Sequence, residues 1–298
     1  MTRQGGYASP QAFRRALTDK LRAIAEAGEW ELPQLQRQIA YDRLLERLYV
    51  VDEGWVVKGA TALLARDLGV RASIDVDLYR DIAVDVAARE LREAATRDLG
   101  DWFVFEVGPA QPVSDTTGGL RVPINASVGA TLWTPFHVDL VGSEVTMTGK
   151  PESVPALARV MMPEVEQSGY QAYPLVDHIA DKVVATFDRY GAAEAPSTRY
   201  KDLVDLVAIV TAASVGAGAQ SAALLSEAKR RDVELPRSFA VPDRELWERG
   251  YAAEAGRSLL SSDHTLEEAL EIVGPFLDPL LDGSATGTWN PDVSQWSE

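Results

Sequence analysis

Apolar positions recur every three or four residues near the N-terminus and every second residue further on, so a helical opening should give way to strands. Ser9-Pro10 has the form of an N-cap followed by proline at the first helical position. Phe13, Leu17, Leu21 and Ile24 follow at helical spacing, and Gly28 can end that helix. A second helix is expected over 35–49, then a short strand at Trp55-Val56-Val57 that runs into Lys58-Gly59. Residues 61–69 read as a short helix closed by glycine, and 84–98, rich in Ala, Arg and Glu, as another helix. Alternation predicts strands over 74–79, 102–107, 120–127 and 132–141. Pro123 has no amide proton, so its strand is expected at a sheet edge or to start late. From Pro174 onward the pattern is helical, over 175–190, 200–213, 219–231, 243–260 and 265–281. The organisation expected is a mixed αβ part over 1–150, a connecting segment over 151–172, a helical domain over 173–282 and a tail over 283–298. Pro151, Pro155, Pro163 and Gly169 interrupt any long element in the connection, and the polar tail is expected to pack loosely.

Composition narrows the class. A chain of 298 residues can bury a sizeable core, as one large domain or two packed ones. It has no cysteine, which excludes disulfides and thiolate metal sites and fits a reducing cytoplasm. No apolar run reaches bilayer length and the N-terminus lacks a signal-peptide core, so a cytoplasmic protein without membrane contact is expected. The net charge of −16 argues against general adhesion to nucleic acid. Residues 1–50 depart from that balance, with eight basic side chains against six acidic ones. A second basic cluster is Lys229-Arg230-Arg231 with Arg237. Each is either a solvated helical face or a local phosphate-binding patch.

The chemistry centres on Arg71-Ala72-Ser73-Ile74-Asp75-Val76-Asp77-Leu78. Ile74, Val76 and Leu78 read as one buried strand face, so Asp75 and Asp77 share the other. Residues two apart on a strand are about 6–7 Å apart, close enough to converge on divalent metal ions. Like charges so placed repel unless a cation lies between them. An isolated Asp-x-Asp also fits a solvated strand edge. Four further features point the same way. Lys58-Gly59-Ala60-Thr61 forms a strand-to-helix turn where glycine admits a phosphate and the Thr61 hydroxyl can donate. Phe136, Val138 and Leu140 alternate with His137 and Asp139, so Asp139 becomes a third carboxylate if that strand pairs beside 74–79. On the helix of 175–190, Lys182 lies with His178 and Asp181 beside the apolar stripe, where a lysine can meet a triphosphate as a point charge. Asp202 and Asp205 share a helix face, and Asp205 can pair with Lys182 or another site cation.

Lys58-Gly59-Ala60-Thr61-Ala62-Leu63, Arg71-x-Ser73-x-Asp75-x-Asp77, Asp139, Ile179-Ala180-Asp181-Lys182 and Arg199-x-x-Asp202-Leu203-Val204-Asp205-Leu206 occur in this order. Together they resemble the AbiEii-like (MenT-type) nucleotidyltransferase toxins of bacterial toxin–antitoxin systems, over roughly residues 30–215. One departure is Ala60, where the family often has a second glycine. The resemblance implies an α+β fold. A DNA polymerase β-like nucleotidyltransferase core, a mixed sheet flanked by helices, would precede a helical C-terminal domain. It implies Asp75, Asp77 and Asp139 as ligands of Mg²⁺ or Mn²⁺, and Asp75, Asp77, Asp139, Lys182 and Asp205 as the catalytic set. Lys58, Gly59, Ala60, Thr61, Arg71, Ser73 and Lys182 would bind the nucleotide. A phosphate on Ser73 would add negative charge where the triphosphate must sit. The implied reaction is metal-dependent transfer of NMP from an NTP to an RNA acceptor, the tRNA 3′ end, by a monomer with a cognate antitoxin encoded nearby. The alternatives are transfer to protein hydroxyls or a small molecule, or a catalytically inactive nucleotide-binding partner.

Overall fold

The N-cap read from Ser9-Pro10 is present: the Ser9 hydroxyl accepts from the Ala12 amide at 3.2 Å, and proline begins the helix. The computed structural model describes residues 6–69, 71–113, 118–158, 160–163, 165–191, 194–260 and 265–298. Arg3, one of the N-terminal basic residues, lies outside them. Two units are distinct. The first comprises Met1–Arg66, Ala72–Val145 and Glu152–Ala172. The second comprises Asp67–Arg71, Thr146–Pro151 and Tyr173–Glu298.

In the first unit the order is α1 (Pro10–Ala27), α2 (Leu32–Tyr49), β1 (Trp55–Lys58), α3 (Gly59–Ala65), β2 (Asp75–Arg80) and α4 (Val84–Ala95). Then come β3 (Phe103–Val107), β4 (Gln111–Pro112), β5 (Leu120–Val128), β6 (Thr131–Val141), β7 (Glu152–Val154) and β8 (Tyr170–Ala172). The strands form one mixed sheet in the order β3-β5-β6-β2-β1-β8-β7, with β4 also on β5. β2 runs parallel to β6 and β1 parallel to β8. The fold class is α+β, as expected.

Period-two alternation divides the sheet into an apolar and a polar face. Val57, Val76, Leu78, Val122, Phe136, Val138 and Leu140 are buried on the apolar face, joined by Phe13, Leu17 and Leu21 of α1, Ile39 and Leu44 of α2 and Leu91 of α4. Each fully buried aliphatic side chain stabilises the unit by about 1.5–3 kcal/mol. α2 is buried on its polar positions too: Asp101 draws in Arg43 and Arg47, while Asp42 accepts from the Leu157 and Ala158 amides and Glu46 from Ser168. Arg43 Nε donates to Asp101 Oδ2 at 2.7 Å, and Arg47 donates to both Asp101 oxygens at 2.7 and 2.9 Å.

Three local expectations are corrected. Ile74 is 66% exposed, because β2 starts at Asp75 and the buried register starts at Val76. β5 is an interior strand, between β3 and β6. Its proline is tolerated because β3 pairing stops at Ile124 and β4 pairing begins at Arg121, so Pro123 falls in the gap and its carbonyl accepts from the Gly108 amide at 2.8 Å. The 151–172 segment does more than connect, since β7 and β8 extend the sheet beyond β1.

The second unit holds α5 (Leu175–Phe187), the short pair β9 (Arg189–Tyr190) and β10 (Ala195–Pro196), α6 (Tyr200–Ala212), α7 (Ala217–Arg231), α8 (Arg244–Ala255), α9 (Leu266–Asp282) and a hairpin of β11 (Thr288–Asn290) and β12 (Gln295–Ser297). A capping box starts α9: the Glu268 amide donates to the Thr265 hydroxyl at 3.2 Å and the Thr265 amide to Glu268 Oε2 at 2.7 Å. The tail expected to be loose is anchored by its two tryptophans. Trp289 is buried and donates to the Val210 carbonyl at 2.8 Å, while Trp296 stacks on Phe276 with ring centroids 5.0 Å apart. Among the described residues no helix is long and apolar enough to cross a membrane.

Candidate active site

The polar face of the sheet carries a charged row set by register. Asp77 of β2 is paired with Asp139 of β6 and with Lys58 of β1, and Asp139 is paired with Arg121 of β5. Directly paired residues point to the same face of a sheet and neighbouring strands lie about 4.8 Å apart. Four strands therefore present Lys58, Asp77, Asp139 and Arg121 side by side. One step along, Asp75 is paired with the exposed His137.

Each carboxylate has its own support. The Ser73 hydroxyl lies 2.8 Å from the Asp75 carbonyl and 3.0 Å from Asp75 Oδ1, which fixes that side chain from one turn of chain away. Tyr41 donates to the Ser73 carbonyl at 3.2 Å. Burial pushes the Tyr41 phenol well above its ordinary range, and the charges of Asp75 and Asp77 add to the effect against Arg37, so it stays a neutral donor. Asp77 is met by Gly59, which begins α3 with φ +60. A Cβ built on Gly59 would fall 2.7 Å from Asp77 Cγ, so only glycine fits against that carboxylate. Asp139 is gripped by Arg121, whose Nε donates to Oδ1 at 2.7 Å and whose Nη2 donates to Oδ2 at 2.5 Å. The same Nη2 stands 3.9 Å from Asp75 Oδ2. These bonds to Asp139, only partly offset by burial, raise the Arg121 pKa further.

The turn after β1 differs from expectation in its outward side chains. Ala60 and Thr61 are buried, and the Thr61 hydroxyl is aimed at the Asp75 carbonyl at 3.4 Å rather than at an incoming anion. Lys58 and Gly59 are the partly exposed members of the turn.

Lys182, Asp205 and Arg71 come together in the second unit. Lys182 Nζ donates to Asp202 Oδ1 at 2.8 Å and to Asp205 Oδ2 at 2.7 Å. Arg71 closes a two-bond fork on Asp205, at 2.9 Å through Nε and 2.8 Å through Nη2. Arg199 Nε lies 3.6 Å from Asp202. Burial opposes charge on Lys182, but Asp202 and Asp205 outweigh it and hold its pKa above the ordinary value. Burial likewise pushes Asp202 up, and Lys182 with Arg199 overcomes it, so this carboxyl sits below the usual range. The lysine read as an open point charge is thus buried and doubly paired, and Arg71 and Arg199 are the partly exposed cations of the group.

The donor set of the first unit suits a hard divalent cation at Asp75 and Asp77, two partly exposed carboxylates on one strand face. Asp139 does not match them, because both its oxygens are hydrogen-bonded to a guanidinium. Among the described residues, no three His, Asp or Glu side chains form a ready metal cage. Arg121 escaped sequence reasoning. Its place outward on β5 was visible from the alternation Leu120-Arg121-Val122, but its partner emerges only from strand register.

The family profile described as "Nucleotidyl transferase AbiEii toxin, Type IV TA system" matches residues 43–272. The chain belongs to this family. It is accordingly a nucleotidyltransferase toxin of a type IV toxin–antitoxin system, a class that implies a cognate antitoxin. No individually curated protein matches it. Among solved structures, this AbiEii-family chain is similar to JHP933 from Helicobacter pylori, at 16% identity over 83% of this chain and 92% of that one, with a TM-score of 0.47. It is also similar to MenT4, a nucleotidyltransferase toxin from Mycobacterium tuberculosis, at 17% identity over 81% of this chain and 70% of that one, with a TM-score of 0.43.

Proposed function

We propose that this AbiEii-family enzyme transfers NMP from an NTP to an RNA acceptor, the 3′ end of tRNA, and so blocks translation. The observation that carries this reading is the register of β2 on β6, which sets Asp75, Asp77 and Asp139 on one sheet face. Asp75 and Asp77 would hold Mg²⁺ or Mn²⁺, which when bound neutralises the triphosphate and acidifies the attacking hydroxyl. The acceptor oxygen bonds to the α-phosphorus, the bond to the bridging oxygen breaks, and pyrophosphate leaves with that electron pair. The hydroxyl proton passes to water, since Asp139 has both oxygens bonded to Arg121 and is a poor base. Ser73 orients Asp75, and Gly59 leaves Asp77 room to face outward. Lys58, next to Asp77 in the register, supplies positive charge toward the phosphates. In the second unit Lys182 positions Asp205, and Asp205 positions Arg71.

Burial of Arg43 and Arg47 against Asp101 takes them out of the basic surface, so the exposed basic side chains of α1 are the part proposed to guide an acceptor stem. Arg15, Lys20 and Arg22 are exposed on α1, although Arg22 also pairs with Asp19 at 3.0 Å. Arg14 is engaged elsewhere, donating to the Thr131 carbonyl at 3.1 Å. The decisive experiment incubates the chain with each labelled NTP, total RNA and cell protein. Label is expected in the tRNA fraction and should vanish with Asp75→Ala or Asp77→Ala. Label in protein instead would move the acceptor to protein hydroxyls. Growth arrest that survives Asp75→Ala would mean a non-catalytic toxin.

A further inference from the structure

Three carboxylates in adjacent positions repel one another, and the fold already supplies counter-charge to them, Lys58 in register beside Asp77 and Arg121 beside Asp139. Arg121 reaches from β5 with a planar fork that matches both oxygens of Asp139, at 2.7 and 2.5 Å, and its Nη2 is 3.9 Å from Asp75. We propose that Arg121 takes the place of a second metal ion, so that the sheet face binds one divalent cation per chain, at Asp75 and Asp77, with Asp139 serving to hold the arginine. This rests on the metal-dependent reading above and deepens it.

A guanidinium stays protonated at any physiological pH, so its charge cannot be titrated away. A cation seated on Asp139 would have to displace two charge-assisted hydrogen bonds and then stand against a fixed positive charge. Asp75 is held less tightly than Asp139. Ser73 holds only one oxygen of Asp75, and Arg121 stays 3.9 Å from the other. Arg121 is thus a positioning and charge-compensating residue. Its side chain is 46% exposed, so its removal leaves the apolar face of the sheet untouched.

The test counts Mn²⁺ ions bound to the full-length chain by electron paramagnetic resonance titration, with Mn²⁺ alone as the probe. The wild type is expected to bind one ion. Arg121→Met should bind two, the second the weaker, and Arg121→Gln should do the same if the released carboxylate rather than the methionine is responsible. Adding Asp139→Asn to Arg121→Met should return the count to one, and Arg121→Lys should keep it at one. Asp139→Asn alone should leave the single ion in place. A wild type that binds two ions or none, an Arg121→Met and Arg121→Gln pair that both stay at one, or loss of the single ion in Asp139→Asn each overturns the proposal. The transfer assay separates this from the functional reading: labelled tRNA with two bound ions refutes only the role of Arg121. The expected counts without labelled RNA refute only the acceptor assignment.

Discussion

Replacing Gly59 with alanine probes the fit of the β1–α3 turn against Asp77. Two costs add. The backbone at φ +60 disfavours an L side chain by about 1–2 kcal/mol. The new methyl would also stand 2.7 Å from Asp77 Cγ and 3.2 Å from Asp77 Cβ. Carbon atoms in good contact stand about 3.5–4.0 Å apart, so Asp77 must withdraw by about 1 Å. Leaving its rotamer adds about 0.5–1.5 kcal/mol. At about 2–4 °C per kcal/mol for units of this size, a melting temperature lower by about 3–14 °C is expected. A 1 Å displacement of a working carboxylate should cost about a hundredfold in transfer rate. Gly191→Ala is the control, because it has the same left-handed backbone, φ +69, with nothing within 4 Å of the added Cβ. It should lose stability by the backbone cost alone and keep its transfer rate. Calorimetry, Mn²⁺ titration and steady-state transfer on both variants decide the matter. Gly59→Ala with Mn²⁺ affinity and transfer within twofold of wild type would refute the placement of Asp77 in the site.

Three further outcomes follow from the same contacts. Ser73→Ala removes both hydroxyl contacts to Asp75 and should lower kcat/KM for RNA about tenfold or more with little change in Tm, since a hydrogen bond to a charged group contributes about 1.5–3 kcal/mol. Equal kcat/KM would remove Ser73 from the positioning of Asp75. Lys182→Met leaves Asp205 to Arg71 and Asp202 to Arg199 alone, which should cost about 1–3 kcal/mol in urea unfolding, and an unchanged midpoint would contradict the pairing. For Asp101, burial pushes the carboxyl up but Arg47 and Arg43 together hold it below the usual range. Its contribution to stability is therefore complete above the unfolded carboxylate pKa of about 4 and is lost as the pH falls through the folded value. Asp101→Asn should be less stable than wild type at pH 6 and lose less on going from pH 5 to pH 3. Parallel pH profiles would rule this out.

Elements whose cause is local were legible in the chain. Ser9-Pro10 announces α1, and the alternation of Phe136, Val138 and Leu140 announces β6 together with the outward aim of Asp139. What stayed hidden depends on partners distant in sequence. Ile74 continues the apolar alternation yet is exposed, because the paired strand begins one residue later. β7 and β8 span three residues each, too few for a period-two pattern to stand out among prolines. Trp289 and Trp296 sit in a polar stretch, and only tertiary contacts, Phe276 of α9 against both rings and the Val210 carbonyl of α6 for Trp289, explain why they pack. In the candidate site, Asp75 and Asp77 were evident from spacing, but Arg121 came into view only when β5 was placed beside β6.

The parallel pairing of β2 with β6 has a consequence for the order of events in biosynthesis. Asp77 and Asp139 stand roughly sixty residues apart along the chain, and no hairpin can join parallel strands. A nascent polypeptide that ends before Thr131 therefore has Asp75 and Asp77 but no strand on which to complete the row. A slip of one residue in that pairing would turn every charged partner into the apolar layer. On the proposed reading of the sheet face, transfer activity is expected only from chains long enough to place β6 beside β2, and a fragment ending before Thr131 should be inactive in the transfer assay.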